Sequence, residues 1–147
     1  MKDHTIGRRD YPLGKKRPEI IKTFSGKNID ELTLSAILND EINDQDIRIS
    51  PQTLLLQAEI AETVGRSLLA ENFKRAAELC CLPDEKVLEI YNALRPFRCT
   101  GAELEAIAVE LPCTNEAVLC AELVKEAAAV YANRRFLKSH ESGAQGG

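Results

Sequence analysis

Between residues 50 and 137 the chain repeats one pattern: a helix-start signal, apolar residues returning every three or four positions, then a stop. A chain punctuated in this way packs as helices. Ser50 stands at a cap position and Pro51 at a first helical position, where its missing N–H costs nothing. Leu54, Ala58, Ala61, Val64 and Leu68 follow on one face, with Glu59, Glu62 and Arg66 between them. That spacing predicts a helix of about five turns. Gly65 weakens it by up to about 1 kcal/mol relative to alanine, and reads either as a tolerated surface glycine or as a point of close approach.

A second helix is expected over 72–81, with Phe73, Ala76, Ala77 and Cys80 inward. A third runs from Pro83 to Leu94, its acids Asp84 and Glu85 in the first turn where the helix dipole favours them. Arg95-Pro96 ends it, because a residue before proline avoids the helical region. Thr100 and Glu103 have capping-box spacing and open a fourth helix, which Pro112 is expected to stop at Leu111. The last predicted helix, 114–137, carries Ala117, Ala121, Val124, Ala128 and Tyr131 on one face. Upstream, Thr33 is placed to cap a short helix through Leu38, before a polar loop, NDEINDQD, and an extended stretch at Ile47 to Ile49. The fold class is all-α: a small helical bundle with an extended N-terminal arm.

The arm is residues 1–27, the helical domain 28–137, and the tail 138–147 is expected to be disordered. Eight basic residues against three acids leave +5 on the arm, whereas the remaining 11 basic and 20 acidic residues give −9. Pro12 and Pro18 interrupt the arm and its apolar residues show no period, so an extended path is expected. It is either a solvated tail or a segment docked through Tyr11, Pro12, Leu13, Ile20, Ile21 and Phe24.

Composition removes several classes. No apolar run approaches the roughly 18 residues of a membrane span, and the N-terminus lacks the apolar stretch of a secretory signal, so a cytoplasmic, non-membrane protein is expected. Cys80, Cys81, Cys99, Cys113 and Cys120 make an odd set with no CxxC pair and no neighbouring histidine, which argues against a disulfide framework and against a zinc site. There is no glycine-rich phosphate loop and no nucleophile beside a base. Cys99, beside Arg98 and ahead of a helix start, is the one thiol whose setting suggests a lowered pKa. Neither catalytic nor metal-binding nor cofactor-binding residues are expected. A nucleic-acid-binding regulator with a basic arm is an alternative, and so is a non-catalytic helical adaptor. The acidic body and the absence of a continuous basic helix face weigh against nucleic acid.

The densest mixed stretch is YNALRPFR, residues 91–98. Arg95 and Arg98 present planar forks suited to carboxylates, and Tyr91 and Phe97 rigid apolar area, the residue types of interface hot spots. Two readings stand: Tyr91, Asn92, Arg95, Phe97 and Arg98 form a docking surface together with Tyr11, Pro12 and Leu13, or the aromatics are core and the arginines solvated.

Several long stretches carry a resemblance. DYPLGKKRPE (10–19), DIRISPQTLLLQAEIAE (46–62), NFKRAAELCCLPDEKVLEIYNALRPFR (72–98) and AELEAIAVEL (102–111) resemble, in matching order, the small or gamma subunit of coenzyme-B12-dependent diol and glycerol dehydratases. The resemblance implies a non-catalytic, mainly helical subunit packed on a large subunit, within a dimer of heterotrimers of large, medium and small chains. It implies that adenosylcobalamin lies between the large and medium subunits, where a radical mechanism turns propane-1,2-diol or glycerol into an aldehyde. Only nine residues precede Asp10, so a longer N-terminal extension is not expected, and placement in a bacterial microcompartment would come through partner subunits.

Overall fold

The computed structural model describes residues 6–139. Its elements are helical, and the described residues contain no strand beyond an isolated bridge between Lys22 and Asn28. Contacts divide the chain after Cys81 into two units, each with its own core.

In the first unit the arm is not one helix, as the lack of a period requires, but its path is more broken than a plain extended segment. Short 3-10 turns at Arg8–Asp10 and Pro18–Ile20 flank α1 (Leu13–Lys16). The Asp10 carboxylate accepts from the Gly7 N–H at 3.0 Å and pairs with Arg17 at 3.1 Å, which folds the segment on itself. The arm lies on α4 (Pro51–Thr63): Ile6, Leu13 and Ile60 are buried together, with Ile20, Ile21 and Leu56 packed against them. Burial of such side chains is worth about 1.5–3 kcal/mol each, enough to hold a segment that has no helix of its own length.

Helix α4 begins at Pro51 as expected, although the Ser50 side chain makes no capping bond. It ends at Thr63 rather than running to Leu68, and α5 (Ser67–Cys80) begins before the expected residue 72. The cause is Gly65, at φ +74°, a conformation in which a Cβ is strained. No atom lies within 4 Å of where its Cβ would be, so the glycine serves a turn and not a close approach. Val64 and Leu68 are consequently exposed, at 41% and 75%, while Ala58, Ala61 and Ala70 bury beside Phe73 and let the two helices meet closely.

Helix α2 (Leu34–Leu38) is capped by Thr33, whose hydroxyl accepts from the Ala36 N–H at 3.1 Å. The expected polar loop contains a further helix, α3 (Asp44–Ile47). Asn43 accepts from the N–H groups of Gln45 and Asp46, and Asp46 accepts from the Asn43 N–H at 2.9 Å. Side chains that suggest a loop here build a capping box. Asp46 also accepts from Thr23 and Ser25 and pairs with Lys27 at 2.7 Å, its own side chain fully covered.

The second unit is α6 (Asp84–Ala93), α7 (Gly101–Asn115) and α8 (Val118–Arg134). Leu82, Ile90 and Ala93 meet Leu104, Ile107, Ala108 and Leu111, and α8 adds Cys120, Ala121 and Val124. The capping box at Thr100 is present, with the Thr100 N–H donating to the Glu103 carboxylate at 2.7 Å. Pro112 does not end α7, which continues to Asn115. An interior proline costs about 3 kcal/mol, and burial of Leu104, Ile107, Leu111 and Ala117 on either side offsets it. Glu116, at φ +55°, closes the helix instead. Helix α8 stops at Arg134, short of the expected 137, where Arg135 takes φ +57°. The chain then turns back: Phe97 N–H donates to the Phe136 carbonyl at 2.7 Å and Lys138 N–H to the Cys99 carbonyl at 2.9 Å. Residues 140–147, most of the expected disordered tail, lie outside the described residues.

Candidate functional site

Helix α6 and the turn after it place the dense aromatic and arginine stretch. Ile90 and Ala93 take the buried face of α6, so Tyr91 and Asn92 face outward, and Tyr91 is 65% exposed. The turn is closed by Arg95 N–H to the Asn92 carbonyl and Arg98 N–H to the Arg95 carbonyl, both 3.2 Å. Phe97 stands at its tip with φ +64° and 60% of its surface exposed. A bulky residue in that region costs about 1–3 kcal/mol and persists only when its surroundings hold it. Here the hold is the hydrogen bond to Phe136 and an edge-on ring contact with it, centroids 5.7 Å apart at 73°. The tip is an outward aromatic, and of the two readings the one that makes Tyr91 and Phe97 core does not hold.

Arg95 and Arg98 are exposed, and among the described residues neither guanidinium takes part in an ion pair. With Asn92 they line a groove of about 700 Å³ that continues past Cys99 to Glu103 and Glu110. Its acids were not anticipated from sequence, although Glu103 and Glu110, seven residues apart, lie on the same face of α7. Lys86 pairs with Glu110 at 2.7 Å and with Glu89 at 3.1 Å, and the hydrogen bond to Glu110 raises its pKa above the ordinary lysine value. Burial, reinforced by Glu103, pushes the Cys99 thiol up, so the lowered pKa suggested by its neighbour Arg98 is overturned. Its surroundings therefore disfavour the thiolate and do not activate it.

The arm supplies the other half of the expected surface. The Tyr11–Pro12 peptide is cis, Tyr11 is 69% exposed and Pro12 is exposed. Leu13 is only 5% exposed because it packs on Ile60, so it belongs to the core of its own chain and is corrected out of the docking set. Tyr11 lines a second groove of about 680 Å³ with Arg8, Arg66, Val64, Leu69 and Phe73. The two halves lie in different units.

Sequence reasoning missed a third region. Leu34, Leu38, Ile47 and Ile49 are exposed at 72%, 75%, 71% and 66%. The available signal was the run of aliphatics among acids, read as a short helix followed by a loop. No group of three metal-ligating side chains occurs among the described residues, and no helix there is long and apolar enough to cross a membrane.

Comparison with known proteins bears on what such surfaces serve. The family model described as dehydratase small subunit matches residues 6–138. A propanediol dehydratase small subunit of Citrobacter freundii is 51% identical over 138 residues, covering 94% of this chain and 80% of the relative. Another, of Salmonella typhimurium, is 51% identical over 132 residues, covering 90% of this chain and 76% of the relative.

Proposed function

The chain belongs to the dehydratase small-subunit family, and on that premise we propose that it is the small subunit of a coenzyme-B12-dependent hydro-lyase that dehydrates propane-1,2-diol or glycerol to the aldehyde. The observation that carries this is 51% identity sustained over 90% or more of the chain with two propanediol dehydratase small subunits. Its part is assembly. The partners are the large and medium dehydratase chains, arranged as a dimer of heterotrimers, with any enclosure in a bacterial microcompartment arising through those partners.

Adenosylcobalamin belongs to the large and medium chains in this reading. In support of that reading, both grooves of this chain are bordered by charged side chains, Arg8 and Arg66 in one and Arg95, Arg98, Glu103 and Glu110 in the other, and not by a broad apolar wall. No step of the reaction is therefore assigned to its residues. What it contributes is contact area: Tyr91 and Phe97 as rigid anchors, Arg95 and Arg98 as forks for carboxylates, Asn92 between them, and Tyr11 and Pro12 on the arm. The nucleic-acid alternative is not favoured. Arg17 is engaged by Asp10 and Glu19 and Lys27 by Asp46, and the residues beyond the arm carry −9, which opposes phosphate binding.

The test is co-expression with large and medium dehydratase chains, then co-purification and an aldehyde-forming assay with adenosylcobalamin and either diol, with and without this chain. Co-purification with activity that depends on this chain is the expected result. A chain that stays alone, with activity indifferent to it, overturns the proposal. Replacing Arg95 and Arg98 by alanine is expected to weaken assembly while leaving helical circular dichroism unchanged.

A further inference from the structure

Residues 29–49 are built inside out. A segment that folds on its own core hides its aliphatic side chains and shows its charges. Here Leu34, Leu38, Ile47 and Ile49 are at least 66% exposed, Ile37 is 50% exposed, and the buried side chains of the segment are Ala36 and the carboxylate of Asp46. The segment is nevertheless ordered. Thr33 caps α2, the Asn43 box caps α3, and Asp46 ties α3 to Thr23, Ser25 and Lys27. Polar bonds do the internal work that apolar burial does elsewhere, which leaves the aliphatic side chains free to face outward. Exposed aliphatics gathered on one preorganised segment mark an interaction site and are not the scattered single residues that any surface carries.

Charge indicates what covers them. Asp30, Glu31, Asp40, Glu41 and Asp44 are exposed along the same segment as these aliphatics, and the sequence 28–49 holds one cation, Arg48. An anionic membrane surface repels such a rim. A second copy meeting face to face would set the same acids against each other. The complementary occupant is an apolar groove with a basic rim on another protein.

We propose that residues 34–49 are a second docking element, which seats Leu34, Leu38, Ile47 and Ile49 in an apolar, basic-rimmed groove of a partner dehydratase subunit. The proposal rests on the small-subunit reading above. It is separate from the stretch at 91–98, which lies in the other unit and offers arginines where this element offers acids. The two elements make opposite electrostatic demands on whatever each of them meets.

The experiment uses the co-expressed three-chain complex and two double variants of this chain, Leu34→Ser with Leu38→Ser, and Ile47→Ser with Ile49→Ser. Each is compared with wild type by co-purification and by the concentration at which the complex dissociates on dilution. Because these side chains are exposed, the variants are expected to keep wild-type circular dichroism while the complex dissociates at about tenfold or higher concentration. Wild-type assembly with unchanged dissociation of both variants overturns this proposal alone. Failure of the wild type to co-purify overturns it together with the small-subunit reading. Loss of helicity in both variants, or a change confined to self-association of the isolated chain, also overturns it, the first by making the side chains structural and the second by making another copy the occupant.

Discussion

Glu116 ends α7 in the left-handed region, at φ 55° and ψ 20°, just before the fully buried Ala117. A residue with a Cβ costs about 1–2 kcal/mol there. Glycine removes that cost but adds freedom to the unfolded chain worth about 0.5–1 kcal/mol. The backbone gain from Glu116→Gly is therefore about 0.5–1 kcal/mol. Removing a negative charge from the C-terminal end of a helix adds a further contribution of about 0.3–1 kcal/mol at low salt. Glu116→Ala separates the two, since it discards the charge and keeps the strained backbone. Urea unfolding of the chain, followed by circular dichroism at a helical wavelength, should rank glycine above alanine by about 0.5–1 kcal/mol and alanine at or slightly above wild type. In thermal melts the glycine variant should gain about 1–4 °C over alanine. Equal stability of the glycine and alanine variants would show that only charge matters at this position. A glycine variant less stable than wild type would refute the assignment of the helix end to backbone conformation.

Two further outcomes follow from buried groups. The Asp46 carboxylate, held by the Asn43 N–H and then by Lys27, has its pKa well below the ordinary 3.8, so its contribution is intact above that value and drains away as pH falls below it. Acid titration of amide exchange in the Lys22 to Asn28 turn should show this loss in wild type, while Asp46→Asn should be weaker at neutral pH and nearly flat in acid; a parallel slope in both would place the titration elsewhere. In the second unit, Leu111→Ala should cost about 2–5 kcal/mol because Leu111 is 0% exposed, whereas Leu123→Ala, 41% exposed, should cost under about 1 kcal/mol; equal losses in urea melts would contradict the core assigned to α7 and α8.

Helix identity was legible wherever an apolar period and a cap agreed. At α8 the face of Ala121 and Val124, with Ala117 just ahead of the helix, is buried as its spacing demands, and Ala128 and Tyr131 lie at its margin. Thr33 and Thr100 cap the helices they were expected to cap. Boundaries failed where one residue has two possible uses. Gly65 is compatible with a helix interior, and only its positive φ reveals the turn; Pro112 is compatible with a stop, and only the packing around Leu111 keeps α7 going. Asn43 and Asp46 illustrate the same ambiguity, since residues that favour loops also cap helices. For the docking surface, composition located the 91–98 stretch but could not tell an outward aromatic from a buried one. Exposure of Phe97 depends on Phe136, thirty-nine positions away, and burial of Leu13 depends on Ile60; no local pattern encodes either contact. The inside-out segment escaped because a polar latch replaced the apolar core that periodicity detects.

The return of the chain onto Phe97 and Cys99 also orders events during synthesis. The turn that carries Arg95 and Arg98 is translated well before Phe136 and Lys138, yet its backbone bonds to these two residues can close only after they have been made. An incomplete polypeptide, or one cut before Arg135, has every residue of the aromatic and arginine stretch and lacks the strap that holds Phe97 in place. Only a chain that reaches past Lys138 can close both bonds and carry this turn in its final shape.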